Sequence, residues 1–505
     1  MHGLPKYRRT GILCAFLLPA SFLTANLLTG DRSPVVWQDE VMFADPAVNL
    51  WQGRGFTTTA WFQSGGLPFA GNSPLYSLCL CPWIGVFGLS VTAVRALNYV
   101  LLLATVAIGL AALGRLGLVR STRARVLLAV LVSCGDGVAF CYRSGRYDCL
   151  GMVVVASLAL GLTIRRPRPR AAVLLLATAL VPWAGLQLAL YLAILGLLLL
   201  AVRGRDALAD LSWVAAGMAL GLGSLAAYLL GNGVWGEFSK SVAIVAGARS
   251  TIPARLAAAL WAPLAEPSSP LLLATLGLAL VAAWRRGAVL ARSPLVLGVA
   301  IGIGVPFLLG LAGKYPRYYG WMAFMPMAAC MAVQIEQGSG RRLGPVAALL
   351  LVLTCLVGLP ARLAVTCLEW RLRDPRPVDE VVSAAVRPTD RVYADYEAYY
   401  PAKRAAATVF LPPYAGLMPE MEGTGISPAL SRDERAAVDV LIVKPSNRER
   451  TLRHFGGRWS RVAHYSAEER VGSSSPVPLL GGSRPYDLVI YRRLPDRGAL
   501  AARRG

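Results

Sequence analysis

Charged side chains are scarce in this sequence. They make up 16% of its 505 residues, whereas hydrophobic residues make up 55%, and the mean hydropathy is +0.52. A soluble domain carries about 25% charged residues. The shortage of charge and the long apolar runs exclude an ordinary soluble protein and predict an α-helical protein that crosses the membrane many times.

Cysteine is lacking where a disulfide framework would need it. All nine cysteines lie in or next to apolar runs, the last is Cys367, and the polar tail after it has none. Cys79 and Cys81 lack the partners of a zinc site, and no cluster of His or Cys offers another. We therefore interpret the cysteines as small residues of the membrane core.

A clear signal-peptide cleavage site is also lacking. Lys6 to Arg9 precede the apolar run 12–28, as in a signal sequence, but no small-x-small motif stands before Asp31. We expect this run to be retained as the first membrane span.

Apolar runs follow one another along the first 360 residues. Several are shorter than the roughly 20 residues that a perpendicular membrane helix needs, and only Pro182-Trp183 separates the fifth from the sixth. We predict about eleven transmembrane helices. The runs are 12–28, 91–113, 124–142, 149–164, 171–183, 186–202, 211–230, 270–284, 294–312, 319–335 and 345–359.

The net charge of +23 is explained by topology rather than by a nucleic-acid partner. If the N-terminus is cytoplasmic, every basic cluster falls on the cytoplasmic side, as the positive-inside rule requires. An odd number of spans then places the C-terminal tail outside the cytoplasm, in a multi-pass protein of the cell membrane. The clusters lie at 115–125, 165–170, 203–205, 285–292 and 341–342.

The first outer loop, residues 30–90, carries the adjacent carboxylates Asp39 and Glu40. Behind them we expect a short amphipathic helix that starts at Asp45-Pro46, with Asp45 as its cap, and stops at Gly53. A second apolar stretch, 73–88, is too short to cross the membrane comfortably and predicts a re-entrant or interfacial helix. The plain alternative for Asp39 and Glu40 is a solvated helix cap.

The tail has the composition of a separate domain. We predict a transmembrane domain over residues 1–368 and a small extracytoplasmic α/β domain over 369–505. No Gly-rich phosphate loop and no nucleophile elbow occurs in the tail. Its predicted strands are 391–395, 438–443 and 486–491, and its predicted helices are 378–386, 431–437 and 446–455.

Ionisable residues recur at the outer ends of the predicted spans. Each by itself fits interfacial anchoring, but acids facing cations at a lipid–water boundary suit a reaction on a lipid-linked phosphate. The cations can hold the phosphate leaving group while a carboxylate takes a proton from an incoming hydroxyl. Besides Asp39 and Glu40, these residues are Arg95 in the second span, Arg146 and Asp148 before the fourth, and Lys314, Arg317 and Tyr318 before the tenth.

Several of these motifs together resemble the polyprenol-dependent glycosyltransferases of the type C fold, which include the protein O-mannosyltransferases and the lipid A aminoarabinose transferase. Those enzymes have an acidic pair in the first outer loop, a Pro-Leu segment and an Arg around the second span, and an acid near the fourth. Asn72-Ser73 stand where a basic residue often precedes the Pro-Leu segment. The matching residues are 39–40, 53–56, 72–76, 88–90, Arg95 and 145–148.

The resemblance implies a membrane glycosyltransferase that moves a sugar from a polyprenyl-phosphate donor to a hydroxyl of a glycan, lipid or protein. It implies that Asp39 is the general base or orients the acceptor, that Glu40 supports it, and that Asp148 is a second acid. No cofactor is indicated, although the three acids could hold Mg²⁺ or Mn²⁺ through oxygen. The implied donor-phosphate partners are Arg95, Arg146, Lys314, Arg317 and Tyr318.

Two other functions compete with this one. A transporter or flippase of lipid-linked sugars would place charges midway in broken helices and show internal repeats. The spans here are nearly free of mid-span charge, Asp136 in the third being the exception, and the two halves show no repeat. A non-catalytic membrane scaffold would need neither Asp39 nor Asp148.

Overall fold

The computed structural model describes residues 6–63, 66–245, 251–285, 293–313, 315–337, 344–406, 408–418, 430–472 and 485–495. Most of these residues are helical, and a five-stranded sheet lies near the C-terminus. The predicted fold class is therefore confirmed: this is a helical, multi-pass membrane protein with a small α/β region in its tail.

The helices of the first 368 residues account for all the predicted apolar runs. They are α1 (Lys6–Thr29), α2 (Gln38–Trp51), α3 (Pro74–Phe87), α4 (Val91–Arg115), α5 (Thr122–Cys134), α6 (Asp136–Arg143), α7 (Asp148–Gly161), α8 (Pro167–Ala179), α9 (Val181–Ala184), α10 (Gln187–Arg203), α11 (Leu208–Gly231), α12 (Trp235–Val245), α13 (Ile252–Trp261), α14 (Ser268–Arg285), α15 (Pro294–Leu311), α16 (Trp321–Glu336), α17 (Pro345–Leu356) and α18 (Leu359–Leu368).

Four helical stretches in the described residues are long and apolar enough to cross a membrane: α4, the stretch Gln187–Gly231 that contains α10 and α11, α14 and α15. Two helix pairs pass the same test together but are bent, α5 with α6 by 62° and α17 with α18 by 49°, which raises the number to six. Further apolar helices, such as α3 and α7, are shorter. The predicted number of eleven spans stays a prediction.

The chain forms two compact units. The first contains residues 1–28, 96–227 and 246–364. Close backbone packing inside it depends on Gly217 and Gly221 of α11, one helical turn apart. A Cβ on Gly217 would lie 2.3 Å from the Leu175 carbonyl oxygen, and a Cβ on Gly221 would lie 2.3 Å from that of Ala179. Small residues at this spacing let membrane helices approach closely.

The second unit contains residues 29–95, 228–245 and 365–505. Its sheet has strands β1 (Arg391–Ala394), β2 (Thr408–Phe410), β3 (Val440–Val443), β4 (Trp459–Ser466) and β5 (Asp487–Arg493) in the order β2-β1-β3-β5-β4. β1 pairs in parallel with β2 and β3, whereas β5 pairs antiparallel with β3 and β4. The helices of this region are α19 (Arg376–Ala385), α20 (Tyr399–Ala405), α21 (Pro412–Ala415), α22 (Arg432–Ala436), α23 (Arg448–Phe455) and α24 (Ala467–Val471).

The predicted strands are β1, β3 and β5, and the predicted helices are α19, α22 and α23, so these elements are confirmed. Strands β2 and β4 were not predicted. β2 has only three residues, and β4 is an edge strand whose side chains are mostly half-buried or exposed. Neither strand therefore has the alternation of apolar residues that marks a strand. The predicted domain boundary between residues 368 and 369 stays a prediction.

Candidate active site

Asp39 and Glu40 lie in the first turn of α2, which begins at Gln38 after an extended Trp37. The predicted helix start at Asp45-Pro46 is wrong, because both residues lie inside α2. The Asp45 carboxylate binds partners outside its own helix, so it does not act as a cap. The first turn of a helix favours negative charge, since its free N–H groups point toward the N-terminus.

Glu40 is fully buried and forms an ion pair with the equally buried Arg95 of α4. Arg95 Nε donates to Glu40 Oε1 at 3.1 Å, and Arg95 Nη2 donates to Oε2 at 2.5 Å. Arg95 Nη1 donates to the carbonyl oxygens of Gly30 and, at 2.8 Å, Pro34. Such a bidentate pair fixes the guanidinium plane as well as the charge. For Glu40, the solvated-cap interpretation is therefore wrong.

A tyrosine from the tail completes the surroundings of Glu40. The Tyr400 hydroxyl, on α20, donates to Glu40 Oε1 at 3.0 Å. Burial, and then the negative charge of Glu40, raise the pKa of Tyr400 well above its ordinary value, so the hydroxyl keeps its proton. Burial also raises the pKa of Glu40, while Arg95 and Tyr400 oppose that rise. We name Glu40, Arg95 and Tyr400 the closed cluster.

Asp45, five residues after Glu40 on α2, has a second set of buried partners. Its Oδ1 accepts from Tyr399 Oη at 3.0 Å and from Lys403 Nζ at 2.8 Å, both on α20. Its Oδ2 accepts from Thr58 Oγ1 at 2.7 Å and from the Thr59 backbone N–H at 3.0 Å. These four donors satisfy both oxygens of the buried carboxylate. Helix α20 therefore binds two acids of α2.

Asp39 differs from both of these acids, because its side chain is only half-buried. It neighbours Glu40 in sequence, and adjacent helical residues point about 100° apart. The charge of its neighbour Glu40 is compensated by Arg95.

In the first unit, Asp148 and Arg146 form a buried ion pair at the start of α7. Arg146 Nε donates to Asp148 Oδ2 at 2.7 Å, and its guanidinium lies 3.7 Å from the centre of the Tyr318 ring. Trp321 Nε1 approaches Asp148 Oδ1 at 3.4 Å. Stacking on an aromatic face is a typical contact of arginine. The structure thus brings together three of the residues singled out from the sequence.

Asp136 lies at the break between α5 and α6 and binds two arginines. Arg317 Nη2 is 2.8 Å from Asp136 Oδ2, and Arg362 Nη2 donates to Oδ1 at 2.7 Å. The Asp136 backbone N–H lies at the helix break and donates to Ser268 Oγ, so this backbone donor is also satisfied. The Arg317 side chain is 44% exposed although Asp136 is buried. We name Asp136, Arg317 and Arg362 the open cluster.

The residues predicted from the sequence thus divide into sets. Glu40 and Arg95 meet in one unit, and Arg146, Asp148 and Tyr318 meet in the other, where Arg317 binds Asp136. Lys314 lies outside the described residues. Sequence reasoning missed Tyr399, Tyr400, Lys403, Arg362 and Trp321. Only the polar, aromatic run Tyr399-Tyr400-Pro401-Ala402-Lys403 in the tail gave a visible signal for three of them.

A metal centre would need oxygen ligands that converge. Within the described ranges, no group of three or more His, Cys, Asp or Glu side chains could hold a metal ion. The carboxylates of Glu40, Asp45, Asp136 and Asp148 instead face cationic side chains or hydrogen-bond donors.

Solved structures place this architecture among known folds, although no family model and no curated protein sequence matches the chain. ArnT from Cupriavidus metallidurans bound to undecaprenyl phosphate aligns with a TM-score of 0.60 at 11% identity, over 95% of this chain and 98% of that one. The apo form of that protein aligns with a TM-score of 0.51 at 13% identity, over 96% and 98%. The chain therefore has the fold of ArnT, as the sequence resemblance implied.

A mycobacterial arabinofuranosyltransferase, AftD, is a more distant neighbour. It aligns with a TM-score of 0.43 at 14% identity, over 97% of this chain but only 40% of that chain.

Proposed function

We propose that this protein is an integral-membrane glycosyltransferase that moves a sugar from a polyprenyl-phosphate donor to a hydroxyl acceptor. The observation that carries the proposal is the first turn of α2. It presents a half-buried carboxylate, Asp39, beside a closed cluster that holds its neighbour Glu40. The fold adds support, because ArnT, which shares it, was solved with undecaprenyl phosphate.

In the proposed step, the acceptor oxygen attacks the anomeric carbon of the donor sugar. The bond between that carbon and the phosphate oxygen breaks, and polyprenyl phosphate leaves with the bonding electron pair. Asp39 takes the proton of the acceptor hydroxyl. A positioned carboxylate of this kind contributes about 10²–10⁴-fold to a rate.

The closed cluster has a positioning role in this proposal. Arg95 uses its donors on Glu40 and on two backbone carbonyls, and Tyr400 donates to the same carboxylate. These bonds fix the first turn of α2 and therefore the direction of Asp39. Catalytic groups gain most when packing and hydrogen bonds hold them in place.

For the donor phosphate we propose Arg317 as a partner. Its guanidinium is only partly enclosed, and its pair with Asp136 leaves donors available. Arg146 is stacked on Tyr318 and paired with Asp148, so we propose that it orients Asp148. Lys314 remains a candidate cation on the strength of the sequence alone.

The experiment is a transfer assay with purified protein in proteoliposomes and a synthetic polyprenyl-phosphate sugar. Asp39→Asn is compared with Asp206→Asn, a matched change at an exposed acid of the loop between α10 and α11. Formation of polyprenyl phosphate by the wild type and by Asp206→Asn, but not by Asp39→Asn, supports the proposal. Equal release by all three proteins would contradict it.

The orientation in the membrane is also a proposal. The positive-inside pattern favours a cytoplasmic N-terminus and an extracytoplasmic tail, in a cell membrane where glycan, lipid or protein acceptors lie outside. Reporter fusions after Arg205 and after Arg391 should mark opposite sides. Signals on the same side would reject this orientation.

One observation favours a transporter as the second candidate. The bend between α5 and α6 places Asp136 at a broken helix, which is where transporters bind ions or substrates. Both Asp136 oxygens are engaged by arginines, so this carboxylate has no oxygen without a cationic partner. Movement of a fluorescent lipid-linked sugar across vesicles, without chemical change, would favour this candidate.

A further inference from the structure

The sheet region of the tail contains a polar pocket of about 360 Å³. One wall is the turn Pro445–Asn447 with the start of α23, the other wall is β4, and Val489 and Tyr491 of β5 lie at the floor. Its basic side chains are Arg448, Arg461 and His464. None of these residues belongs to the candidate active site.

A β-bulge brings two of the basic side chains to the same face of the sheet. Arg461 and His464 are three residues apart, and in a regular strand they would point to opposite faces. The register shifts between Arg461 and Ala463, so that Arg461 pairs with Tyr491 and His464 pairs with Val489. The extra residue is Val462, and Arg461 and His464 therefore both stand over the floor of the pocket. Bulges often redirect side chains in this way beside functional sites.

A buried hydroxyl at the floor lacks a partner. Tyr491 is only 4% exposed, and its hydroxyl makes no hydrogen bond within the described part of the chain. Leaving a buried hydroxyl unsatisfied costs about 1–3 kcal/mol. The Arg448 guanidinium lies 5.7 Å from the centre of the same ring. The pocket therefore has an unused donor at its floor beneath an arginine.

The charges around the pocket are unevenly compensated. His464 is 3.3 Å from Asp487 and 3.6 Å from Glu469, so this imidazole has acidic partners of its own. Arg461 makes no ion pair with any described residue, and Glu449 lines the wall beside Arg448. The two arginines thus provide the cationic character of the pocket, while Glu449 provides an acceptor.

We propose that this pocket binds an anionic saccharide group, meaning a phosphate or carboxylate carried on a sugar. Guanidinium groups recognise both anions through paired N–H donors, and the first turn of α23, the positive end of its dipole, forms part of the wall. Tyr491 donates to the anion, and Glu449 accepts from sugar hydroxyls. The volume lies at the lower end of the range for small-ligand pockets, which suits one sugar unit. We further propose that this saccharide belongs to the acceptor, and this step rests on the proposed function.

The test is calorimetric titration of the full-length protein in detergent with glucose 1-phosphate, glucuronate, inorganic phosphate and glucose. We expect at least one of the two anionic sugars to bind more tightly than inorganic phosphate and glucose. The preferred sugar shows whether the site takes a phosphate or a carboxylate. Arg461→Ala should weaken binding at least about tenfold, because it removes a charge-assisted hydrogen bond. Tyr491→Phe should weaken it roughly two- to tenfold.

Arg458→Ala is the matched control, because Arg458 is exposed just before β4 and does not line the pocket. It should change the affinity by less than about twofold. Equal losses in Arg458→Ala and Arg461→Ala would overturn the proposal, as would glucose binding as tightly as the anionic sugars. If inorganic phosphate bound as tightly as the anionic sugars, recognition of the sugar part would be overturned.

Titration of Asp39→Asn separates this inference from the proposed function. Binding needs no transfer, so the pocket should keep its affinity in that variant. Retained transfer by Asp39→Asn would then contradict the mechanism alone, whereas absent binding in the wild type would contradict the pocket alone.

Discussion

The closed and open clusters both place a buried acid against arginine, but they differ in exposure. Arg95 of the closed cluster is fully buried, whereas the side chain of Arg317 in the open cluster is 44% exposed. A fully desolvated ion pair cannot release its arginine without leaving an uncompensated charge behind. A half-exposed arginine can rotate toward a ligand at less cost, since water solvates its guanidinium and Arg362 still binds the acid that it leaves. The first cluster therefore suits support of a site, and the second suits contact with a substrate.

The largest effect on activity is expected beside the closed cluster. Asp39→Asn keeps the shape of the side chain but removes its ability to take a proton, so transfer should fall about 10²–10⁴-fold. Stability should hardly change, because Asn is tolerated near a helix start as well as Asp. A transfer assay on folded, monodisperse protein measures this. Near-normal turnover would remove Asp39 from the mechanism.

Arg95→Ala tests the closed cluster itself. It leaves Glu40 buried without its cation, which should lower the free energy of unfolding by about 3–5 kcal/mol. In this variant burial raises the pKa of Glu40, and Arg95 no longer opposes that rise. The Glu40 carboxyl therefore binds its proton more tightly in the folded protein than in the unfolded chain. The loss in the free energy of unfolding should be largest at a pH well above that raised pKa, and it should shrink as the pH falls. Chemical unfolding in detergent at several pH values checks the sign.

Arg317→Ala is the comparison for that experiment, since it removes an arginine of the open cluster. Its cost in stability should be below about 1 kcal/mol, because the side chain is partly solvated and Arg362 still binds Asp136. Equal destabilisation by the two variants would show that exposure does not distinguish the clusters.

Tyr400→Phe should have an intermediate effect. It removes a hydrogen bond to a charged group, which contributes about 1.5–3 kcal/mol. The matched control is Tyr396→Phe, whose hydroxyl donates to the Met418 thioether, a weak acceptor. Thermal unfolding of both variants measures the difference. Identical shifts would mean that Tyr400 does not hold Glu40.

The smallest effect on function is expected in donor binding. Arg317→Ala should raise the dissociation constant for a polyprenyl-phosphate sugar about tenfold through loss of a charge-assisted bond to phosphate. Arg317→Lys should recover part of it, because lysine keeps the charge but lacks the planar fork. If Arg317→Ala left the affinity for the donor unchanged, the role of Arg317 would be to anchor the segment before α16.

How far the sequence predicts this molecule depends on whether a signal is local. Apolar runs such as 91–113 and 294–312 correspond closely to α4 and α15, because hydropathy is a property of consecutive residues. The start of α2 was misplaced, because the cap signal at Asp45-Pro46 is overridden by partners more than ten residues away. Asp39, Glu40 and Arg95 could be selected by motif. Tyr400 and Lys403 could not, because their partners lie over 350 residues earlier in the chain.

The contacts of α20 have a consequence for biosynthesis. Lys403 lies 358 residues after its partner Asp45. At about 5–20 residues per second, the ribosome needs roughly 18–70 s to connect them. During that interval the newly inserted chain carries Asp45 and Glu40 without their tail partners. These contacts thus form only after α20 has been synthesised, and a chain truncated before residue 399 would lack both sets of them.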